Sequence, residues 1–480
     1  REGVLCSVWC VSLSVRPVII AASGCVVHRV PSVFSSVRWC RSNPKHRFLS
    51  LWTLSQPRIL RETAIATAMD GGARWSLLFA MLMLLYAIAF YKPLPPDFTD
   101  NAIDRMVAGS AEVFLRFSYI YPTAAFCGDV YCELRWTRRV LDTSLWLISF
   151  IRAGDSELLV ETVYFDSVRV RVYRPLVDNS YLPAIVFLHG GGYVMGSIEG
   201  FDSIARRLAT AVHAVVISVD YRLAPEHIFP AAVDDAESAL VYLLTKAYAS
   251  FGVDRSRVAL MGDSAGGGLV AAVTYRLRER NDIPQLKAQV LIYPLLQMGN
   301  LRTPSYEYYR RALVGRVFVE PRAIVLYYMM YAGLNLLHDS QLIDVALDNA
   351  HISPLDRTTI DEYVDIDRLP HDFKTNSSFS TRHYNEEASR LMVPFVFNPE
   401  FAPLMQPNLT SLPRALVVTC QHDILRDEGV LYASRLAEAG VPTTWKHLET
   451  GFHALLNFHS TMLTASRAFD YVSQWLLDNI

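Results

Sequence analysis

Val258-Ala259-Leu260-Met261-Gly262-Asp263-Ser264-Ala265-Gly266-Gly267-Gly268 is an apolar run that breaks into glycines around a single serine. The order reads as a buried strand, a sharp turn and a helix opening at Leu269. The turn calls for G-x-S-x-G because side chains at Gly262 and Gly266 would clash where the chain reverses, and it presents the Ser264 hydroxyl at its tip above a helix N-terminus. Serine between glycines is commonly a plain turn. A strand before it and a helix after it are the context that gives it chemical meaning.

Other short apolar runs surround this one at Ala184 to Leu188, Ala214 to Val219, Ala288 to Tyr293 and Ala415 to Thr419, with helix-length segments such as Gly200 to Val212 and Ala231 to Lys246 between them. Buried parallel strands have this appearance, so the expected class is α/β: a mostly parallel sheet with helices on both faces. Alternating segments at Glu157 to Asp166 and Val168 to Arg174 predict a hairpin in front of it. Between 301 and 413 the strand signal lapses into aromatic-rich helical sequence, including Ile324 to Tyr331, which is read as an inserted helical lid.

Ile185-Val186-Phe187-Leu188 runs into His189-Gly190-Gly191-Gly192-Tyr193. The amides of Gly190, Gly191 and Gly192, unshielded by side chains, suit an oxyanion formed during acyl transfer, where losing one donor costs about 3–4 kcal/mol. A glycine hinge would explain flexibility but not the pairing with G-x-S-x-G. Ser264 also needs a base, and on this kind of sheet the triad order is serine, acid, histidine. Asp423 follows the strand Ala415 to Thr419. His453 follows a strand-like Thr443 to Leu448, whereas His447 lies inside that strand and His422 adjoins the acid. Ser264, Asp423 and His453 are therefore the candidate catalytic residues.

With H-G-G-G-Y from His189, Y-R-L-A-P-E-H-I-F-P-A-A from Tyr221, G-D-S-A-G-G-G from Gly262, D-I-L-R-D-E from Asp423 and G-F-H from Gly451 together, residues 75 to 480 resemble the hormone-sensitive lipase branch of the α/β-hydrolases. Within it they look like the arylacetamide deacetylase and neutral cholesterol ester hydrolase group. The resemblance implies an α/β-hydrolase fold, a catalytic domain over 105–480, and hydrolysis of lipophilic carboxylic esters, in some members also arylacetamides, without metal or cofactor. It implies Ser264, Asp423 and His453 as the triad, with Gly191, Gly192 and Ala265 as oxyanion donors and Tyr221 to Ala232 as a supporting loop. Relatives often carry a cysteine two residues after the glycine tetrad that can bond the one preceding the triad acid. Val194 stands there instead, leaving Cys420 without that partner. Two rivals share the fold: a small-molecule receptor, which in plants has lost the triad histidine, and a serine peptidase.

The chain of 480 residues is 51% hydrophobic and 19% charged, which excludes a disordered polypeptide. A formal net charge of -2 excludes the basic surface that a phosphate-backbone binder needs, so no nucleic-acid partner is expected. No obligate protein partner is evident either. Cys6, Cys10, Cys25, Cys40, Cys127, Cys132 and Cys420 form no paired zinc motif, and the short spacing of Cys127 and Cys132 permits a bond without requiring one.

Residues 1–68 hold nine Lys or Arg against Glu2 and Glu62, and Met69 is the first methionine. They are expected to be leader sequence that the natural protein lacks; a mitochondrial presequence is the alternative reading. Trp75 to Tyr91 runs for 17 residues without a charge between Arg74 and Lys92. At 1.5 Å per residue it reaches about 25 Å, enough for a thin bilayer such as that of the endoplasmic reticulum, and its bulky aromatic end favours an uncleaved anchor over a signal peptide. Sequons at Asn376 and Asn408 fit a single-pass type II protein whose catalytic domain faces the lumen.

Overall fold

Val215–Val219 (V-V-I-S-V) and Ala288–Ile292 (A-Q-V-L-I) are buried at every position, as strands covered on both faces must be. They belong to one sheet built from β1 (Leu158–Phe165), β2 (Val168–Pro175), β3 (Leu182–Leu188), β4 (Val215–Val219), β5 (Val253–Asp263), β6 (Ala288–Ile292), β7 (Arg414–His422) and β8 (Thr443–Phe452), in the spatial order β1-β2-β4-β3-β5-β6-β7-β8. The computed structural model describes residue 81 and residues 93–115, 118, 121–150, 157–177, 181–314, 319–335, 341–374 and 383–480.

β1 pairs antiparallel with β2, and β2 antiparallel with β4; every later pairing is parallel. β1 and β8, at the two edges, are mostly half-buried or exposed and buried only at their last residues. Two registers decide where chemistry can occur. Leu188 at the end of β3 lies opposite Gly262 on β5, and His422 at the end of β7 lies opposite Phe452 on β8. The glycine tetrad, the serine turn, the acid and the histidine thus leave the sheet at the carboxyl ends of neighbouring strands, where open α/β sheets bind their ligands.

In chain order the helices are α1 (Ala102–Leu115), α2 (Tyr121–Phe126), α3 (Val130–Phe150), α4 (Asp202–Val212), α5 (Ala231–Tyr242), α6 (Ala265–Leu277), α7 (Pro304–Tyr308), α8 (Pro321–Tyr331), α9 (Gln341–Leu347), α10 (Pro354–Tyr363), α11 (Glu386–Val396), α12 (Arg426–Glu438) and α13 (Leu463–Asn479). α4 packs on α13, and α5 on α6, giving the sheet its two helical layers. α7 to α11 fill the segment between β6 and β7, which holds no strand among the described residues. α6 starts at Ala265, four residues ahead of the Leu269 expected from sequence. Gly266 to Gly268 are helical and buried, because the helix runs hard against the backbone of Leu188 and Leu295.

The sequence reading assigned no helix between Lys92 and Glu157, yet α1, α2 and α3 occupy much of it. Cys127 and Cys132 are bonded and tie the end of α2 to the start of α3. From α3, Arg138 donates to the carbonyls of Val194 and Ala224 and pairs with Glu226, bracing the loop behind the glycine tetrad. Just before α1, Phe98 is fully buried and stacks on Phe452, ring centroids 4.7 Å apart, while its carbonyl accepts the Gly451 N–H at 3.1 Å.

Residues 1–68, the run Trp75 to Tyr91 apart from Met81, and the sequon at Asn376 lie outside the described residues. Among the described residues no helix is long and apolar enough to cross a membrane.

Phe98→Ala should lower stability by about 3–5 kcal/mol, as expected for emptying a fully buried aromatic site, and should also lower kcat because Phe452 precedes His453. Urea unfolding with short-ester kinetics checks both; a loss below about 1 kcal/mol would show that the clamp is dispensable.

Candidate active site

Ser264 takes φ +54° and ψ -121°, a strained backbone for a residue with a side chain, at the tip of the turn between β5 and α6. The turn is fixed by close packing: a Cβ on Gly266 would fall 2.0 Å from the Leu188 carbonyl oxygen. The Ser264 hydroxyl reaches His453 Nε2 at 2.8 Å, and His453 Nδ1 reaches Asp423 Oδ2 at 2.9 Å. Asp423 Oδ1 accepts the Leu425 N–H at 2.8 Å, which holds the carboxylate in place. All three side chains are nearly shut off from water: Ser264 is 6%, Asp423 3% and His453 4% exposed. The structure thus brings together the serine, acid and histidine selected from sequence, at the distances that a nucleophile, an orienting carboxylate and a base require.

The amides of Gly191, Gly192 and Ala265 find no acceptor among the described residues, so they remain open to an oxygen of a bound acyl group. Gly190 corrects the sequence reading. Its N–H donates to Asp263 Oδ1 at 2.7 Å and is not available to an oxyanion. A Cβ on Gly190 would fall 2.6 Å from Asp263 Oδ2, so the carboxylate is pressed against the tetrad backbone. Sequence could not say which of three adjacent amides is already taken, because that depends on a residue 73 positions away.

Asp263 is the residue that sequence reading passed over. It directly precedes Ser264, is buried, and binds the loop that carries the open amides. Burial raises its pKa to about 7, against the opposing effects of the Gly190 N–H and the nearby His453. His189 faces the same region. Its ring stacks on Tyr221 with centroids 4.4 Å apart, its Nδ1 meets the Gly190 carbonyl at 2.8 Å, and the Tyr221 hydroxyl donates to the His189 carbonyl at 2.7 Å. Burial lowers the His189 pKa to about 4, so the ring is neutral and serves as packing for the tetrad.

The segment between β6 and β7 meets the site through tyrosines. A Cβ on Gly192, which has φ +63°, would come within 2.4 Å of Tyr327 Cδ2 on α8, so that ring lies directly on the open amides' loop. Tyr193 stacks on Tyr331 of the same helix, centroids 4.1 Å apart. The D-I-L-R-D-E motif adds two anchors beyond Asp423. Asp427 accepts the Ser305 N–H, and Glu428 accepts the N–H groups of Leu296 and Gln297, fastening the start of this segment beside the acid. Cys420 is a buried free thiol. No group of three His, Cys, Asp or Glu among the described residues is placed to hold a metal ion.

A sequence model of the α/β-hydrolase fold matches residues 185–362 and 363–457. The chain belongs to the α/β-hydrolase family. It is 33% identical to arylacetamide deacetylase of Bos taurus over 410 residues, which cover 84% of this chain and 98% of that protein. To neutral cholesterol ester hydrolase 1 of Rattus norvegicus it is 30% identical over 431 residues, with the same coverage of 84% and 98%. Among solved structures, a thermostable carboxylesterase cloned from a metagenomic library matches with a TM-score of 0.54 at 30% identity, covering 72% of this chain and 97% of that one. Within the α/β-hydrolases the chain falls in the arylacetamide deacetylase and neutral cholesterol ester hydrolase group, and it is a serine carboxylic ester hydrolase.

Two outcomes follow for Asp263 in this hydrolase. Asp263→Ala leaves the Gly190 N–H unpaired and should lower kcat about 10²-fold with KM nearly unchanged, the scale of one lost oxyanion donor. In wild type the folded-state pKa near 7 exceeds the ordinary 3.8, so the folded protein holds the extra proton between those values. The stability this group contributes is therefore present at low pH and is lost as pH rises through about 7. Asp263→Asn removes that loss and should gain stability relative to wild type as pH rises across the window, by up to about 4 kcal/mol. Urea titrations at a series of pH values test it, and parallel curves would sink the assignment.

Proposed function

We propose that the protein is a membrane-anchored serine esterase for lipophilic acyl esters and arylacetamides, working through an acyl-enzyme. The observation that carries the reading is the buried hydrogen-bonded chain from Ser264 through His453 to Asp423. His453 Nε2 takes the Ser264 proton as the oxygen attacks the substrate carbonyl carbon. The carbonyl oxygen becomes negative and is held by the N–H groups of Gly191, Gly192 and Ala265. The imidazolium, oriented by Asp423, then gives its proton to the departing alcohol or amine. Water repeats the sequence on the acyl-serine and returns the free hydroxyl. A receptor on the same fold has no use for a base hydrogen-bonded to the serine.

Preference for lipophilic esters and arylacetamides is supported by the named relatives and by the aromatic covering that Tyr327 lays over Gly192. Anchoring is read from Trp75 to Tyr91, whose length suits the thin bilayer of the endoplasmic reticulum, and the sequons support a catalytic domain that faces the lumen. Asn408 is exposed, and its Oδ1 accepts from both the N–H and hydroxyl of Thr410, a sequon open to glycosylation.

A fluorophosphonate probe should label wild type, and Ser264→Ala should abolish both labelling and ester turnover. His453→Ala should be nearly as severe. Asp423→Asn should lower turnover by about 10⁴, as the same change does in serine proteases, where it leaves the imidazole in the wrong tautomer. A wild-type protein that binds esters but neither reacts with the probe nor turns over any short ester would overturn the reading. For orientation, glycosidase should shift the mobility of microsomal protein, and replacing Asn376 and Asn408 by Gln should remove the shift; full protease sensitivity in sealed vesicles would place the domain in the cytosol.

A further inference from the structure

Helix α1 turns two acids inward and three large apolar side chains outward. Asp104 and Glu112 are buried together with Ala108, Gly109 and Val113, while Ile103, Met106 and Phe114 point to the outside at 72%, 69% and 49% exposure. A helix at a water-facing surface carries the opposite pattern. The inward acid has a structural role, since Asp104 accepts the N–H groups of Leu463 and Thr464 and the Thr464 hydroxyl at the start of α13. Nothing in that role requires large apolar groups on the other side. The outward surface continues onto α3, because the Ser118 hydroxyl donates to the Phe114 carbonyl and the Trp136 indole donates to the Ser118 carbonyl. Trp136 is itself exposed, close in sequence to exposed Arg135 and Arg139.

We infer that this face, Ile103, Met106 and Phe114 on α1 with Trp136 on α3, lies on the surface of a lipid bilayer, a second contact beyond the anchor. The inference takes its occupant from the reading of Trp75 to Tyr91 as a membrane segment. Lys92 ends that run, and Phe98 is already locked into the catalytic domain. Six residues of extended chain reach about 20 Å at most, so a segment leaving the bilayer at Lys92 brings the start of α1 next to the headgroups. The chemistry suits that place. Apolar side chains enter the headgroup and acyl boundary, tryptophan favours the interface, and Arg135 and Arg139 meet the phosphate oxygens of the headgroups. Docking there would hold the site close to a pool of lipophilic ester.

The full chain in vesicles containing a diazirine-bearing anionic phospholipid tests this directly. Photolysis and peptide mapping should find lipid adducts on α1 and around Trp136 in addition to Trp75 to Tyr91. Adducts confined to 75–91 would overturn the face and leave the anchor standing. Adducts on α1 with none in 75–91 would support the face and remove the anchor. Their absence from both segments would overturn both, and protein–protein cross-links through α1 without lipid adducts would assign the face to a protein and overturn the inference. The combined variant Ile103→Ser, Met106→Ser and Phe114→Ser should hydrolyse a long-chain ester carried in the vesicles about tenfold more slowly, through lost apolar insertion, with soluble short-ester turnover unchanged. Equal rates on vesicle-borne ester would count against the face, and the wild-type adduct map stands whatever the variant's folding.

Discussion

The parallel pairing of β3 with β5 is the constraint on which the rest of this molecule depends. It sets Leu188 opposite Gly262, so two glycine-rich turns emerge side by side from strands whose closing residues are wholly buried. A slip of one residue would turn the side chains of a buried strand over and separate the tetrad from the serine. Once the two turns are adjacent, Asp263 can reach the Gly190 amide, and the remaining amides of the loop are left open beside Ser264. The carboxylate is thus part of the loop's architecture, although it sits inside the nucleophile motif.

The sheet was legible in sequence because parallel strands are unbroken apolar runs. Val215–Val219 and Ala288–Ile292 could hardly be read otherwise; Asp423 was recoverable because it follows such a strand, and His453 because it closes the G-F-H turn after a polar edge strand in the chain order of a triad. α1 was illegible for the opposite reason. Its largest apolar residues, Ile103, Met106 and Phe114, face outward while Asp104 and Glu112 join Ala108 and Val113 inside, so no clean amphipathic stripe marks the helix. The three glycines after Ala265 suggested loop but are helical, since tertiary crowding there outweighs their weak intrinsic preference. The Gly190 assignment failed, and the contact of Tyr327 with Gly192 went unseen, because both depend on partners brought in by the fold.

Chemistry and covering meet in the tetrad loop. One side is fixed by Asp263 and the His189 to Tyr221 stack, the other is touched by Tyr327 and Tyr331 of α8, and Arg138 braces the loop from behind. Asp427 and Glu428 fasten the base of the covering segment next to the acid. A change in how α8 sits therefore acts on the same backbone that carries the open amides of Gly191 and Gly192. With Val194 in the tetrad loop and Cys420 a free thiol, that arrangement is held by packing and hydrogen bonds without a covalent staple between the tetrad and acid loops.

The clamp between the first and last parts of the catalytic unit has a consequence for synthesis. Thr450 donates to Asp100, 350 residues earlier in the chain, and Thr464 donates to Asp104 across 360. Contacts of such separation close late, because the intervening chain must be present and ordered first. On the ribosome Ser264 emerges long before His453, and α1 waits for α13 to supply its partner. The nascent hydrolase is consequently inert until its final segment, with His453 and α13, has been made, so the growing polypeptide does not expose a working esterase to the cell.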